Sequence, residues 1–326
     1  MGLPLAFPLL LGVSAPCETR SADVLTPPSS VFASLGAPVL SAPPLCPEGR
    51  TPTLAPEPPV PALPPRMVHG EEEHHCAPQG CWAWVGWNDR RPMRGAGARL
   101  SIEAPRVESP DHSLAEVSLQ WGGEDSEIVE AGWEVAPRRH GDSEPRLFIH
   151  RWMKGRACAA PCGFQGWSRR LVPGMRLGAW TGRELAVGWL LWEGRAWAWA
   201  DGEWLGWFEL RPDPPRIARV AQWFGEAFFV QPPPLVVMGN GWTGETPGAA
   251  RVTGVCDVPE RALGCVIRPE RFPRVTEPKV YTLQTDSDGG FRYGGPAAQL
   301  RPRPPPSSAS GETPSATGTL APSRPR

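Results

Sequence analysis

The sequence predicts an all-β fold, an antiparallel β-sandwich with disordered, Pro-rich N- and C-terminal segments. Three observations carry this. Apolar and polar residues alternate with a period of two in one segment after another, as in strands with one buried face. No segment sustains a 3.6-residue period, the mark of an amphipathic helix. The segments are separated by Gly, Pro and Asp, the residues of tight turns. Many short strands with little helix make a sandwich or a barrel.

In chain order, alternation is clear over residues 98–103, 115–121, 146–152 and 195–200. By the same criterion 175–180, 184–192, 203–208, 217–223, 248–255 and 264–267 read as further strands. Asp201 and Gly202, set between Trp199 and Trp204, are a two-residue hairpin signal. The 16 Trp concentrate in this region. Most read as core and sheet-face packing, and a few as the lining of a cleft.

Outside this region the composition changes. Residues 1–74 are rich in Pro, Ala, Leu and Ser without periodicity, and residues 293–326 in Pro, Ser and Arg. Neither stretch has the apolar surface to offset its chain entropy, so both are expected to be disordered. The folded domain is then 75–292. Residues 3–15 resemble a short signal-peptide core but lack a basic start and contain Pro4 and Pro8. Met67 offers an alternative start.

The net charge of −1 comes without a basic block, which argues against nucleic acid as a partner. No run reaches the roughly 18 apolar residues of a membrane helix, and a monomer is expected. Six of the eight cysteines fall into close pairs, Cys76/Cys81, Cys158/Cys162 and Cys256/Cys265. Such pairs favour disulfides and a secreted or extracytoplasmic setting. His74 and His75 beside Cys76 keep zinc open as a rival at the first pair. Cys17 and Cys46 stand apart in the Pro-rich region.

Chemistry concentrates in two segments, 127–135 and 221–229. Each sets a glutamate, Glu130 or Glu226, in an apolar run with a Gly and a Trp beside it. A carboxylate in such surroundings is paired or used. If the fold brings the two together, their pKa values are pushed apart, which suits acid–base work on water. Alternation puts Glu130, Gly132 and Glu134 on one face. Glu134 reads as a rim carboxylate, and Gly132 as open surface for a peptide backbone. Trp133, Trp223, Gln120 and Gln222 are the candidate substrate-binding residues. No Ser nucleophile elbow, His-Glu-x-x-His helix or Gly-rich phosphate loop is present. No metal and no cofactor are expected. The reading from a different class is a secreted β-sandwich module that binds carbohydrate or peptide on Trp platforms.

Taken in order, residues 97–107, 113–120, 128–137, 141–142, 146–148, 158–164, 197–208, 221–226, 238–241 and 248–250 resemble the neprosin domain, a family of proline-directed glutamic endopeptidases. The resemblance implies a β-sandwich that hydrolyses polypeptides with two glutamates, at positions 130 and 226. Three departures stand out: Phe224 replaces a Gly, Cys158 and Cys162 enclose three residues where the plant pattern has four, and the N-terminal region does not look like the plant propeptide. An inactive member of the family remains an alternative.

Overall fold

The computed structural model describes residues 16–20, 23–54, 75–77, 80–122, 126–154, 156–159, 162–210, 217–230, 236–267 and 272–296. In chain order its strands begin with β1 (Cys17–Thr19), β2 (Arg50–Pro52), β3 (His75–Ala77), β4 (Gly80–Asp89), β5 (Met93–Ser101), β6 (His112–Trp121) and β7 (Glu127–Val135). A one-turn helix, α1 (Pro137–His140), precedes β8 (Arg146–Met153), β9 (Arg156–Ala159), β10 (Phe164–Gly166) and β11 (Glu184–Trp192). Then come β12 (Arg195–Ala200), β13 (Glu203–Glu209), β14 (Val220–Phe229) and β15 (Ala250–Pro259). The last are β16 (Val266–Ile267), β17 (Phe272–Val275), β18 (Thr282–Thr285) and β19 (Phe291–Gly294).

Strands β3 to β19 form two antiparallel sheets packed face to face. The front sheet runs β17-β4-β14-β6-β7-β8-β9, with β3 also on β4; the back sheet runs β10-β13-β12-β11-β5-β15-β19-β18, with β16 also on β15. Alternation sends Val117, Leu119, Val129, Ala131, Trp133, Ala221 and Trp223 from the front sheet into the shared core. There they join Leu185, Val187, Trp189 and Leu191 of the back sheet. The indole N–H of Trp133 donates to the Ser101 carbonyl at 2.7 Å, and that of Trp223 to the Gly97 carbonyl at 3.0 Å, tying the two sheets together.

Several expectations need correction. Of the 1–74 stretch expected to be disordered, residues 16–20 and 23–54 are structured. They form the β1–β2 ribbon, a Cys17–Cys46 disulfide and a 3-10 turn, Ser29–Leu35, that buries Val31, Phe32 and Leu35. The turn covers the outer face of the back sheet, with Phe32 5.2 Å from Trp199 and 6.0 Å from Trp204, centroid to centroid. A Cβ at Gly188 would come within 2.8 Å of the Phe32 ring, so that strand needs glycine there. The backbone N–H groups of Val39 and Leu40 donate to Asp201 at 2.8 Å each. Composition hid this because the segment pairs with neither main sheet and is held by a few anchors rather than by periodicity.

The expected strand at 175–180 is instead a loop with a 3-10 turn at Gly178–Trp180. Strand β4, dense in Trp and missed in the sequence, joins β14, β17 and β3 in the front sheet. The Cys76–Cys81, Cys158–Cys162 and Cys256–Cys265 pairs are disulfides. The first joins directly opposed residues of the β3–β4 hairpin. Residues 1–15, 55–74 and 297–326, including the signal-like run and Met67, lie outside the described residues.

Candidate active site

The carboxyls on the outer face of the front sheet come from three adjacent strands. Strand β6 lies between β14 and β7. Its register opposes Ser118 to Glu130 and to Gln222, Glu116 to Gly132 and to Phe224, and Leu114 to Glu134 and to Glu226. Because opposed residues share a face, Glu130, Glu134, Glu116, Glu226, Gln222 and Gln120 all stand on this side. Glu130, Glu116 and Glu226 then fall on one diagonal, with Glu116 in the middle. Diagonal neighbours in a flat sheet lie about 7–8 Å apart. This sheet curls further inward: Trp152 of β8 shares an apolar cluster with Trp82 of β4 and Phe228 of β14.

Each carboxyl has a distinct environment. Glu226, 2 % exposed, accepts from the Trp84 indole at 2.6 Å and lies 3.1 Å from His112 Nε2. Glu134, read above as a rim carboxylate, is 1 % exposed. It receives Arg139 Nη1 at 2.7 and 2.8 Å and His140 Nε2 at 2.9 Å, both side chains coming from α1. Burial alone would raise its pKa; Arg139 and the His140 hydrogen bond outweigh burial and hold the carboxyl well below the usual range. The rim reading fails because α1 folds over the sheet and seals the end of β7.

Arg139 Nη1 also reaches His150 Nε2 at 2.6 Å. Since guanidinium is only a donor, that ring nitrogen accepts, and the ring proton sits on Nδ1, 3.6 Å from Glu130 Oε2. Burial, and then the charge of Arg139, push His150 down to about 3, so the ring is neutral. Glu130 is pushed up to about 8, first by burial and then by the negative charge of Glu226. Arg139 and the nearby Trp152 indole, which makes no full hydrogen bond, oppose that rise. Glu116 is raised well above its usual value, by burial and then by Glu130, Glu226 and Glu134.

Two candidate residues are in the wrong place for substrate. Trp133 and Trp223 are fully buried between the sheets, because their odd-numbered positions point away from the glutamates. Gly132 offers no open surface either: a Cβ there would meet the Ala115 carbonyl oxygen at 1.9 Å, so the backbone of β6 occupies that space. Gln222 and Gln120 are on the site face, Gln222 with its Oε1 3.5 Å from Ser118 Oγ. Phe224, Leu114 and Phe148 form an apolar wall beside the carboxyls.

Sequence reasoning missed Glu116, Trp84, His112, Arg139, His140 and His150. Only Glu116 had a usable signal, its alternation with Ser118 and Gln120, and that pattern alone reads as a solvent face.

A model of the neprosin family matches residues 109–296. The chain belongs to the neprosin family. It is thereby a glutamic-type peptidase, a hydrolase acting on polypeptides. Among solved structures, this neprosin-family chain is similar to scytalido-glutamic peptidase with a transition-state analogue inhibitor, at 11 % identity over 65 % of this chain and 97 % of that one, with a TM-score of 0.42. It is also similar to SCP-B, a member of the eqolisin family in complex with the tripeptide Ala-Ile-His, at 12 % identity over the same shares, with a TM-score of 0.39.

Proposed function

We propose that the chain is an endopeptidase whose working pair is Glu130 and Glu226, cleaving extended chains preferentially after Pro in an extracytoplasmic compartment. The observation that carries this reading is the placement of both glutamates on one curled sheet face in unlike surroundings. Glu226 accepts a short hydrogen bond from Trp84, as suits a base, while Glu130 is held toward its neutral form, as suits an acid. Glu226 takes a proton from water as the water oxygen bonds to the scissile carbonyl carbon. Glu130 gives its proton to the departing amide nitrogen as the C–N bond breaks. The acid and amine products leave, and exchange with solvent returns both carboxyls to their starting forms.

The preference for Pro rests on the family resemblance; the apolar wall of Phe224, Leu114 and Phe148 would suit a rigid Pro-containing strand. Four disulfides among the described residues support an oxidising compartment. Digestion of a Pro-rich protein such as gliadin across pH, with product ends read by mass spectrometry, tests the reading. Glu130→Gln and Glu226→Gln should each lower kcat by about 10³-fold or more with the fold intact, as loss of a general acid or base does, and chelators should have no effect. Full activity in either variant, or cuts unrelated to Pro, would refute the corresponding part.

A further inference from the structure

The best-satisfied carboxyls of the face leave one unaccounted for. Glu134 has Arg139 and His140, Glu226 has Trp84 and His112, and Glu130 has His150 at 3.6 Å. Glu116, on the central strand and midway along the diagonal, has none of these. It is 2 % exposed and its Oε1 is buried without a hydrogen-bond partner. Its cross-strand neighbours are Gly132 and Phe224, which offer it no polar side chain.

The charges that act on it are Glu130 and Glu134 from β7 and Glu226 from β14. The other charged and titratable groups of this face, His150 from β8, Arg139 and His140 from α1 and His112 on its own strand, each face one of those carboxyls. The one guanidinium among them, Arg139, is engaged by Glu134 and His150. An ionised Glu116 would therefore be a buried charge without compensation, among other carboxylates, a strongly unfavourable state. As a neutral acid it carries an O–H donor.

We propose that Glu116 is a third working carboxyl of the site, neutral throughout the cycle, whose O–H donates a hydrogen bond to the carbonyl oxygen of the bound peptide. The proposal rests on the peptidase reading above. A scissile carbonyl presented to both Glu130 and Glu226 passes over the residue between them. As negative charge grows on that oxygen, the hydrogen bond strengthens, and the proton stays on Glu116. Ionisation of Glu116 would remove the donor and add a repelling charge.

The full chain carrying Glu116→Gln or Glu116→Leu tests this. Gln keeps a donor but cannot ionise; Leu removes the donor at similar volume. Infrared spectra at pH 6 in a Glu130→Gln background, which removes that residue's own protonated-carboxyl band, should show a remaining band that is lost when Glu116 is replaced by Gln or by Leu. In acid, Glu116→Gln should retain kcat within about ten-fold of the native value. Glu116→Leu should lose about 10²–10³-fold in kcat, the usual effect of deleting one such donor. An unchanged infrared band in Glu116→Gln, or equal activity of the two variants across pH, would overturn the proposal. A native chain inert toward peptides at every pH would overturn the peptidase reading instead, while the infrared band would still decide whether Glu116 holds its proton.

Discussion

The two outer faces of the sandwich are made from similar strands and put to opposite uses. On the back sheet, Gly97 and Gly188 leave room for Phe32, and Trp197, Trp199, Trp204 and Trp207 pack beneath Val31, Phe32 and Leu35. On the front sheet, the same alternation of large and small residues sends its fully buried Trp133 and Trp223 inward and leaves the carboxyls outward. The back face is closed by apolar burial. The front face is lined by ionisable groups. A Trp beside a Gly reads alike in both sheets; what separates them is the parity on which the glutamates fall.

The largest effect expected on the front face is that of Glu134→Gln. It should cost about 3–5 kcal/mol, because it leaves Arg139 as a buried charge without its partner. It should also lower activity by releasing the Arg139 contact that orients His150 toward Glu130. Urea denaturation with a parallel peptidase assay checks both; a variant as stable as the native chain would break the account of that corner. On the back face, Phe32→Ala should remove about 3–5 kcal/mol as well, the usual loss for a fully buried Phe, but with kcat/KM unchanged. A Phe32→Ala chain with native stability and impaired cleavage would erase the distinction between the faces.

That distinction was only half legible in the sequence. The all-β class, the three close cysteine pairs and the setting of Glu130 and Glu226 in apolar strand runs all follow from local pattern, which a strand expresses directly. Other features depend on strand order, which no local window contains. Glu116 looked solvent-facing because nothing in its segment says that β6 lies between the two glutamate strands. Trp133 and Trp223 were drawn toward the site by adjacency in sequence, although adjacency in a strand means opposite faces. Phe32 was lost in a Pro-rich segment whose contacts are all long-range. The Arg139–Glu134 pair joins residues five apart, but a turn must intervene to bury it.

The pH dependence of stability should separate the faces next, since the strongly shifted carboxyls and His150 are on the front. Folded Glu130 keeps its proton up to about 8, whereas its ordinary value is 4.5. Between those values the unfolded chain has released a proton that the folded one retains, so stability falls as pH rises through that window. His150 works in the opposite sense. Its pKa is pushed from 6.5 to about 3, so the unfolded chain binds a proton that the folded one refuses, and stability falls as pH drops through that range. Melting temperature against pH should therefore decline on both sides. Glu130→Gln should flatten the alkaline decline alone, and His150→Gln the acid one. An alkaline slope unaltered by Glu130→Gln would show that the proton resides elsewhere.

The smallest effect is expected from a pair that matches Arg139–Glu134 in chemistry and length but lies at the rim of the back sheet. Arg195 Nε meets Glu209 Oε1 at 2.7 Å, the same separation as Arg139 Nη1 to Glu134 Oε1. The difference is solvent: the Glu209 side chain is 58 % exposed, that of Glu134 2 %. In water the attraction is screened, and ordering two flexible side chains offsets most of what remains, so exposed pairs contribute about 0–1 kcal/mol. Arg195 also keeps its stacking on the Trp207 ring, 5.2 Å from the centroid, when the carboxylate is neutralised. Glu209→Gln should thus shift stability by less than about 1 kcal/mol, and the shift should fade in high salt. Set beside Glu134→Gln in one denaturation series, it compares an exposed pair with a buried one at the same separation. Equal losses in the two variants would mean that the front-sheet pair owes nothing to its enclosure by α1.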